Sequence, residues 1–211
     1  MSEFELKQKS VSTNKTSNSS RTHWIAKTGI LSAAAIILMY LEFNLPFMPI
    51  FLKFDFAEIP ALLGTFSMGP LTGVIIELIK NLSHLPFSHT SYIGELANFL
   101  VCSSFVFIAG LIYRKNKTRQ SAIVGLIAGT ITMTIMGVLV NYYINLPFYA
   151  TAMGIDLNTI IGMSNSVGNK LVTDMKSLLA FVFVPFNIFK GVVISIIVML
   201  IYKKLSPILH K

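Results

Sequence analysis

The sequence predicts an all-α integral membrane protein with six transmembrane helices in one bundle. Hydrophobic residues make up 54% of the chain and charged residues only 12%, with a mean hydropathy of +0.69. The apolar residues occur in long runs separated by short polar segments. A soluble domain of 211 residues needs a polar surface, and this composition cannot provide one. Since one membrane crossing takes about 20 helical residues, the length allows about five to seven crossings.

The N-terminal segment differs from the rest of the chain. Residues 1–20 are rich in Ser, Thr, Asn and Lys, which is typical of a disordered tail. Residues 21–211 are predicted to form a single membrane domain. Its first crossing extends from about Trp24 to Leu41, where Trp24 and Lys27 are suited to the headgroup interface.

Two short apolar segments follow an apolar, proline-containing loop. They extend from Phe56 to Met68 and from Pro70 to Leu82, and Pro70 is suited to the first position of a new helix. Neither is comfortably long enough to cross a bilayer alone. Short paired helices of this kind are tolerated beside longer neighbours, and they often border a cavity within the membrane.

Three longer apolar runs complete the predicted bundle. The fourth helix extends from about Tyr92 to Tyr113, and the fifth extends from about Ala122 to Leu146, where Pro147 is expected to end it. The sixth extends from about Leu178 to Tyr202. Residues 148–176 are mixed in polarity and predict a long loop that contains a short helix.

The basic residues predict the orientation of the bundle. Six crossings place both termini on one side, and that side collects the lysines of the N-terminal tail, the Arg114 to Arg119 turn, and Lys203 with Lys204. By the positive-inside rule this side is cytoplasmic. The loops at about 43–55, 83–91 and 148–176 are then external.

The sequence contains no recognisable motif for energy coupling or catalysis. The Walker A pattern for binding nucleotide phosphates does not occur in it. Cys102 is the single cysteine, and His84 and His89 lie five positions apart in a loop, so we predict no metal site. No catalytic triad can be assembled. The net charge of +8 sets membrane topology here and is not expected to bind nucleic acid.

The strongest intramembrane polar signal is Lys190, near the middle of the sixth helix. A buried ammonium group is costly unless it faces a cavity or finds a partner. Asn187 precedes it by three positions and therefore projects from the same helix face. The side chains of Asn187 and Lys190 could together bind the polar edge of a ligand. Alternatively, Lys190 forms a structural ion pair with Glu77 or Glu95, and both interpretations can hold together.

Two further pairs of polar residues occur near the external ends of their helices. Glu95 and Asn98 lie three positions apart on the fourth helix, and Asn141 and Asn145 flank a Tyr-Tyr-Ile segment on the fifth. Taken singly, such residues more often form hydrogen bonds between helices than ligand contacts. Their shared depth with Lys190 favours a common site.

Together these segments resemble the riboflavin-specific substrate-binding subunits (S components) of energy-coupling factor (ECF) vitamin transporters. The resemblance covers nearly the whole chain after the tail. It rests on the six-helix plan and on four segments: Leu45 to Pro49, Leu52 to Ala61, Gly94 to Asn98, and Phe186 to Gly191.

The resemblance implies a subunit that captures riboflavin outside the cell and is driven by partner proteins, namely one transmembrane coupling protein and two ATPases. Riboflavin is then a transported ligand rather than a cofactor, the protein is not an enzyme, and its location is the plasma membrane of a bacterium. The implied ligand-binding residues are Leu45, Phe51, Glu95, Asn98, Asn141, Asn187 and Lys190. Leu45 and Phe51 would cover the dimethylbenzene edge of the flavin, and the polar residues would contact its ring and ribityl groups.

One feature departs from the family pattern. Family members commonly carry Ala-x-x-x-Ala on the first helix, where the coupling protein docks, whereas the nearest small pair here is Gly29 with Ala33. Gly29 and Ala33 are therefore the predicted docking residues. The alternatives left open are an S component for flavin mononucleotide (FMN) or another vitamin, and a membrane-embedded enzyme or scaffold. A phosphate could be met by Lys53, Lys170 or Lys176.

Overall fold

A computed structural model describes the backbone of residues 3–209 and the side chains of residues 20–202. The chain forms nine α-helices and one short hairpin over that range. The elements are α1 (Glu3–Tyr40), β1 (Phe43–Asn44), β2 (Lys53–Phe54), α2 (Glu58–Met68), α3 (Pro70–His84), α4 (Ile93–Lys115), α5 (Arg119–Val140), α6 (Leu146–Ala152), α7 (Leu157–Ser166), α8 (Met175–Leu178) and α9 (Val184–Leu209).

The N-terminal helix is longer than the predicted first crossing. The backbone of residues 3–20, for which composition predicts disorder, continues α1. Side chains before Ser20 lie outside the described part. From Ser20 to Tyr40 the helix is long and apolar enough to cross a membrane.

Three further segments of the described residues meet the same criterion. They are Ile93–Lys115, Arg119–Ala152 and Met175–Tyr202. The two short helices between the first and second spans do not, since α2 and α3 are only about 16 Å and 22 Å long at 1.5 Å per residue. Both pack against α1 and α4. The predicted break at Gly69 and Pro70 is confirmed, because Gly69 adopts φ 105° and Pro70 begins α3.

The predicted end of the fifth helix at Pro147 is wrong. The helix passes from α5 through one π-helical turn, Asn141–Asn145, into α6 and ends at Ala152. Proline lacks an amide hydrogen and its ring clashes with the carbonyl of residue i−4 in a regular α-helix. A π turn directly before Pro147 changes that geometry, so the helix continues.

The last membrane helix contains the same feature. A second π turn, Leu179–Phe183, joins α8 to α9 just before Pro185. Pro185 cannot donate a hydrogen bond to the Phe181 carbonyl, and the Asn169 side chain donates to that carbonyl instead, at 3.2 Å. The predicted sixth helix therefore begins earlier than expected, at Met175. The short helix predicted inside residues 148–176 is confirmed as α7.

The core consists of two apolar clusters. The larger lies between α1, α2, α3, α4, α5 and α9 and includes the fully buried side chains of Leu62, Ile76, Phe105, Met133 and Ile194. The smaller lies beneath the hairpin and α7. It joins residues of α6, α7, α8, the loop between α7 and α8 and the second π turn, namely Leu146, Ile160, Val172, Leu178, Leu179, Val182 and Phe183.

Candidate functional site

A cluster of asparagines forms where α5 approaches α9. The Asn141 side chain donates to the Gly137 carbonyl at 2.7 Å, and the Asn145 side chain donates to Asn141 Oδ1 at 2.9 Å. From α9, Asn187 lies directly against Gly137: a Cβ atom added to that glycine would stand 2.5 Å from Asn187 Nδ2. The absence of a side chain at Gly137 therefore lets three buried amides gather in one place.

Two amide oxygens near this cluster have unused hydrogen-bonding capacity. Asn145 Oδ1 and Asn98 Oδ1 are buried and accept no hydrogen bond from any residue that the structure describes. Leaving such an acceptor unpaired costs about 1–3 kcal/mol. The fourth helix, which carries Asn98, packs against the π turn that carries Asn145. The two oxygens are therefore suited to accept hydrogen bonds from a bound ligand.

Asn145 is a candidate site residue that was not among those predicted from the sequence. It was noted beside Asn141, but only Asn141 was predicted to bind ligand. The spacing of four residues could have revealed it, because residues i and i+4 lie on one helix face.

Lys190 is almost fully buried and forms two ion pairs. Its Nζ atom lies 2.9 Å from Asp55 Oδ2 and 3.2 Å from Glu58 Oε1. The alternative that pairs Lys190 with Glu77 or Glu95 is therefore wrong in its partners, although the prediction that it needs an anionic partner is right. Asp55 follows the hairpin and Glu58 begins α2, so both lie in a part of the chain far from Lys190 in sequence.

Glu95 supports the loop that precedes α4. Its Oε1 atom lies 3.0 Å from His84 Nδ1, and its Oε2 atom accepts a hydrogen bond from Ser88 Oγ at 2.8 Å. Thr90 Oγ1 is a weaker donor at 3.5 Å. Both carboxylate oxygens of Glu95 thus hold the segment between α3 and α4. Any contact between Glu95 and a ligand would be in addition to this structural role.

The hairpin loop supplies apolar cover near the asparagines. The ring of Phe51 packs against Phe183 of the second π turn, with centroids 6.2 Å apart. Leu45 is half-buried and its carbonyl accepts a turn hydrogen bond from the amide of Met48. The ring of Phe54 contacts Phe189 on α9. These contacts place the hairpin loop over the segment that carries Asn187 and Lys190.

Exposed aspartates cap the N-termini of α7 and α8, two helices that contribute residues to the smaller apolar cluster. Asp156 accepts hydrogen bonds from the side chain and amide of Thr159, and Asp174 accepts from those of Ser177. These hydrogen bonds favour the charged carboxylates and lower the pKa of both aspartates.

The structure thus brings together Asn141, Asn187, Lys190 and Phe51 from the predicted set, and adds Asn145. Glu95 and Asn98 share α4, which packs beside the first π turn. The predicted docking residues Gly29 and Ala33 are exposed, one turn apart on the same face of α1. An added Cβ at Gly29 would meet no atom of the described residues within 4 Å. A close approach by another helix is therefore sterically open there.

Comparison with known proteins identifies the family to which this chain is similar. Residues 23–202 match the family described as "ECF transporter, substrate-specific component". The riboflavin transporter RibU of Staphylococcus aureus (strain TCH60) is 36% identical over 182 residues, which cover 86% of this chain and 89% of that protein. The riboflavin transporter FmnP of Bacillus subtilis (strain 168) is 31% identical over 181 residues, which cover 84% of this chain and 89% of that protein.

Structural comparison gives the same family. The fold superposes on the solved structure of the S component of a bacterial ECF transporter with a TM-score of 0.70 and 36% sequence identity. The match covers 90% of this chain and 99% of that one. Proteins of this family are components of transporters rather than enzymes. The chain is therefore a substrate-specific S component of the ECF transporter family.

Proposed function

We propose that this chain binds riboflavin and mediates its uptake across the cell membrane of a bacterium, as the substrate-specific subunit of an ECF transporter. The observation that carries this proposal is the pair of buried, unpaired acceptors, Asn98 Oδ1 and Asn145 Oδ1, beside the amides of Asn141 and Asn187. The names of the relatives supply the ligand class.

The chemistry of riboflavin fits the two sides of the site. The flavin ring has carbonyls and one N–H at its pyrimidine end and methyl groups at its benzene end, and its ribityl chain has several hydroxyls. Hydroxyl and N–H groups can donate to the unpaired oxygens of Asn98 and Asn145. The apolar end can lie against Phe51 and Leu45. Sites of this kind combine mostly apolar walls with a few placed polar groups.

Lys190 is proposed to bind the ligand while it keeps its structural ion pairs. An ammonium group has three N–H donors, and Asp55 and Glu58 occupy two of them. The third can donate to a flavin carbonyl or ring nitrogen. Leu45, Phe51, Glu95, Asn98, Asn141, Asn145, Asn187 and Lys190 make up the proposed ligand-binding set.

The membrane arrangement proposed here has six crossings with both termini in the cytoplasm. The four long spans and the short α2–α3 pair support it, together with the basic segments on one side. A transmembrane coupling protein and two ATPases are proposed to supply the energy. The exposed Gly29 and Ala33 support α1 as the docking face for the coupling protein.

A titration of purified protein tests the ligand. The protein, purified in detergent and freed of bound flavin, is titrated with riboflavin, whose fluorescence should be quenched on binding. We expect saturable quenching in the parent and a dissociation constant at least tenfold higher for Asn145→Ala, which removes an amide beside the ligand. No quenching at any protein concentration would refute the proposal.

FMN is the second candidate ligand, and its phosphate would need a lysine that is not already paired. Lys53, one of the lysines that could meet a phosphate, forms an ion pair with Glu42. Lys170 and Lys176 remain exposed. Competition of FMN against riboflavin in the same titration distinguishes the two. FMN displacing riboflavin at equal or lower concentration would favour the nucleotide.

A further inference from the structure

A chain of five buried ionic side chains crosses the interior between the hairpin and α3. It starts at Asp55, passes through Lys190 and Glu58, and continues through Lys80 to Glu77. Lys80 Nζ lies 2.6 Å from Glu58 Oε1 and 2.9 Å from Glu77 Oε2. Glu58, Glu77 and Lys80 are completely buried. We call these five residues the ionic network.

The ionic network contains one more acid than base. Its members are three carboxyl groups and two ammonium groups, so with every member ionised it would carry one net negative charge. An uncompensated charge in a site without water is costly, particularly within a membrane protein. The thiol of Cys102 faces the same acids and adds no positive charge. One additional positive charge is therefore needed to balance the network.

Hydrogen bonding independently indicates the same deficit. Glu58 Oε2 and Glu77 Oε1 are buried and have no hydrogen-bond partner among the residues that the structure describes. Two buried carboxylate oxygens with no donor stronger than the nearby thiol of Cys102 are unfavourable. A hydrogen atom on one of the two acids would turn an acceptor into a donor. The atoms that Glu58, Glu77 and Cys102 offer lie within 4.8 Å of one another, so such a donor has acceptors close by.

We propose that the ionic network permanently binds one proton and that this proton resides on Glu77. Both carboxylate oxygens of Asp55 accept a hydrogen bond, one from the Ala57 amide at 2.8 Å and the other from Lys190. Glu58 Oε1 faces two ammonium groups, those of Lys80 and Lys190. Glu77 faces only one ammonium group, which it shares with Glu58. Glu77 is therefore the acid whose negative charge is compensated least.

A metal ion is the other species that could supply positive charge. The position between Glu58 and Glu77 is already occupied by the ammonium group of Lys80, at less than 3 Å from both acids. A divalent cation beside it would face strong repulsion at that distance. A proton on Glu77 balances the charge without displacing Lys80. The ionic network is then neutral as it links the hairpin, α2, α3 and α9.

Infrared spectroscopy of the full-length protein tests this proposal without any flavin. A protonated carboxylic acid has a carbonyl stretch that is separate from those of carboxylates and amides and that shifts on transfer to deuterated water. We expect such a band in flavin-free protein at neutral pH, and we expect it to shift when glutamate is labelled with carbon-13. The band should be lost in Glu77→Gln and retained in Glu42→Gln, whose glutamate belongs to an exposed ion pair.

Several results would overturn the proposal. Absence of a protonated glutamate band from the labelled parent would do so, as would a band that survives in folded Glu77→Gln. One equivalent of tightly bound metal together with no such band would identify a cation site instead. If Glu77→Gln does not fold, labelled Glu95→Gln decides, because Glu95 is the one buried glutamate outside the network among the side chains that the structure describes. A band retained there supports a proton on a glutamate of the ionic network, and a band lost there contradicts the proposal. Because no flavin is used, a negative result leaves the riboflavin titration unaffected.

Discussion

Replacement of Gly137 by alanine tests whether the close approach of α5 and α9 builds the ligand site. The new Cβ atom would lie 2.5 Å from Asn187 Nδ2 and 3.0 Å from Asn187 Cγ, so Asn187 must move by about 1 Å to reach ordinary contact distance. That shift breaks or weakens the hydrogen bond from Asn187 to the Phe183 carbonyl. Overpacking of this kind costs about 1–3 kcal/mol. We expect riboflavin affinity to fall by about tenfold to a hundredfold, which corresponds to about 1.4–2.8 kcal/mol.

The assay for Gly137→Ala is the riboflavin titration, with thermal unfolding measured on the same samples. Gly162→Ala is the matched control, because an added Cβ there meets no described atom within 4 Å. Gly162 is an exposed residue of α7, so alanine should preserve affinity and stabilise the helix slightly. A Gly137→Ala protein that binds riboflavin as tightly as the parent would refute the reasoning, since Asn187 would then not need its observed position.

Three further predictions concern the charged residues. Lys190→Ala should raise the riboflavin dissociation constant at least tenfold in the same titration, and an unchanged value would remove Lys190 from the site. Lys80→Met leaves two buried acids without their shared ammonium group and should destabilise the fold by about 3–5 kcal/mol in thermal unfolding, whereas Lys53→Met at an exposed pair should change stability by no more than about 1 kcal/mol. The pKa of Asp174 is lowered by its hydrogen bonds with Ser177, so its capping contribution is complete above the unfolded pKa and is lost as the pH falls through the folded value. The protection of the Ser177 amide from hydrogen exchange, measured against the intrinsic rate at the same pH, should therefore decrease at acidic pH, and protection that is unaffected by Asp174→Ala would contradict the cap.

The long helices could be predicted from the sequence because each follows from local composition. The fourth helix was expected from about Tyr92 to Tyr113 and is found at Ile93–Lys115. The break between α2 and α3 was also predictable, because Gly69 and Pro70 have well-defined conformational preferences. These features depend on residues close together in the chain. The number of crossings and the orientation stay predictions.

The ionic network could not be predicted in the same way, because its members are far apart in the chain. Lys190 and Asp55 are separated by 135 positions, and only the packing of α9 against α2 brings them together. Glu77 and Glu95 were the predicted partners of Lys190, whereas Asp55, Glu58 and Lys80 were not predicted to take part. A local signal was present for one pair: glutamate and lysine three residues apart in an apolar helix favour a buried ion pair.

The error at Pro147 and the location of the proposed site have a common physical origin. A proline within an apolar helix was interpreted as a helix end, yet both Pro147 and Pro185 follow a π turn and the helix continues past each. A π turn widens the helix and redirects side chains, and such turns often occur at functional sites. Asn141 and Asn145 bound the first π turn, and Asn187 donates to the last residue of the second. The irregularity that a proline imposes on each helix therefore lies where the amides of the proposed site gather. In a membrane helix, a proline with an asparagine within about one turn is better interpreted as a candidate site than as a boundary.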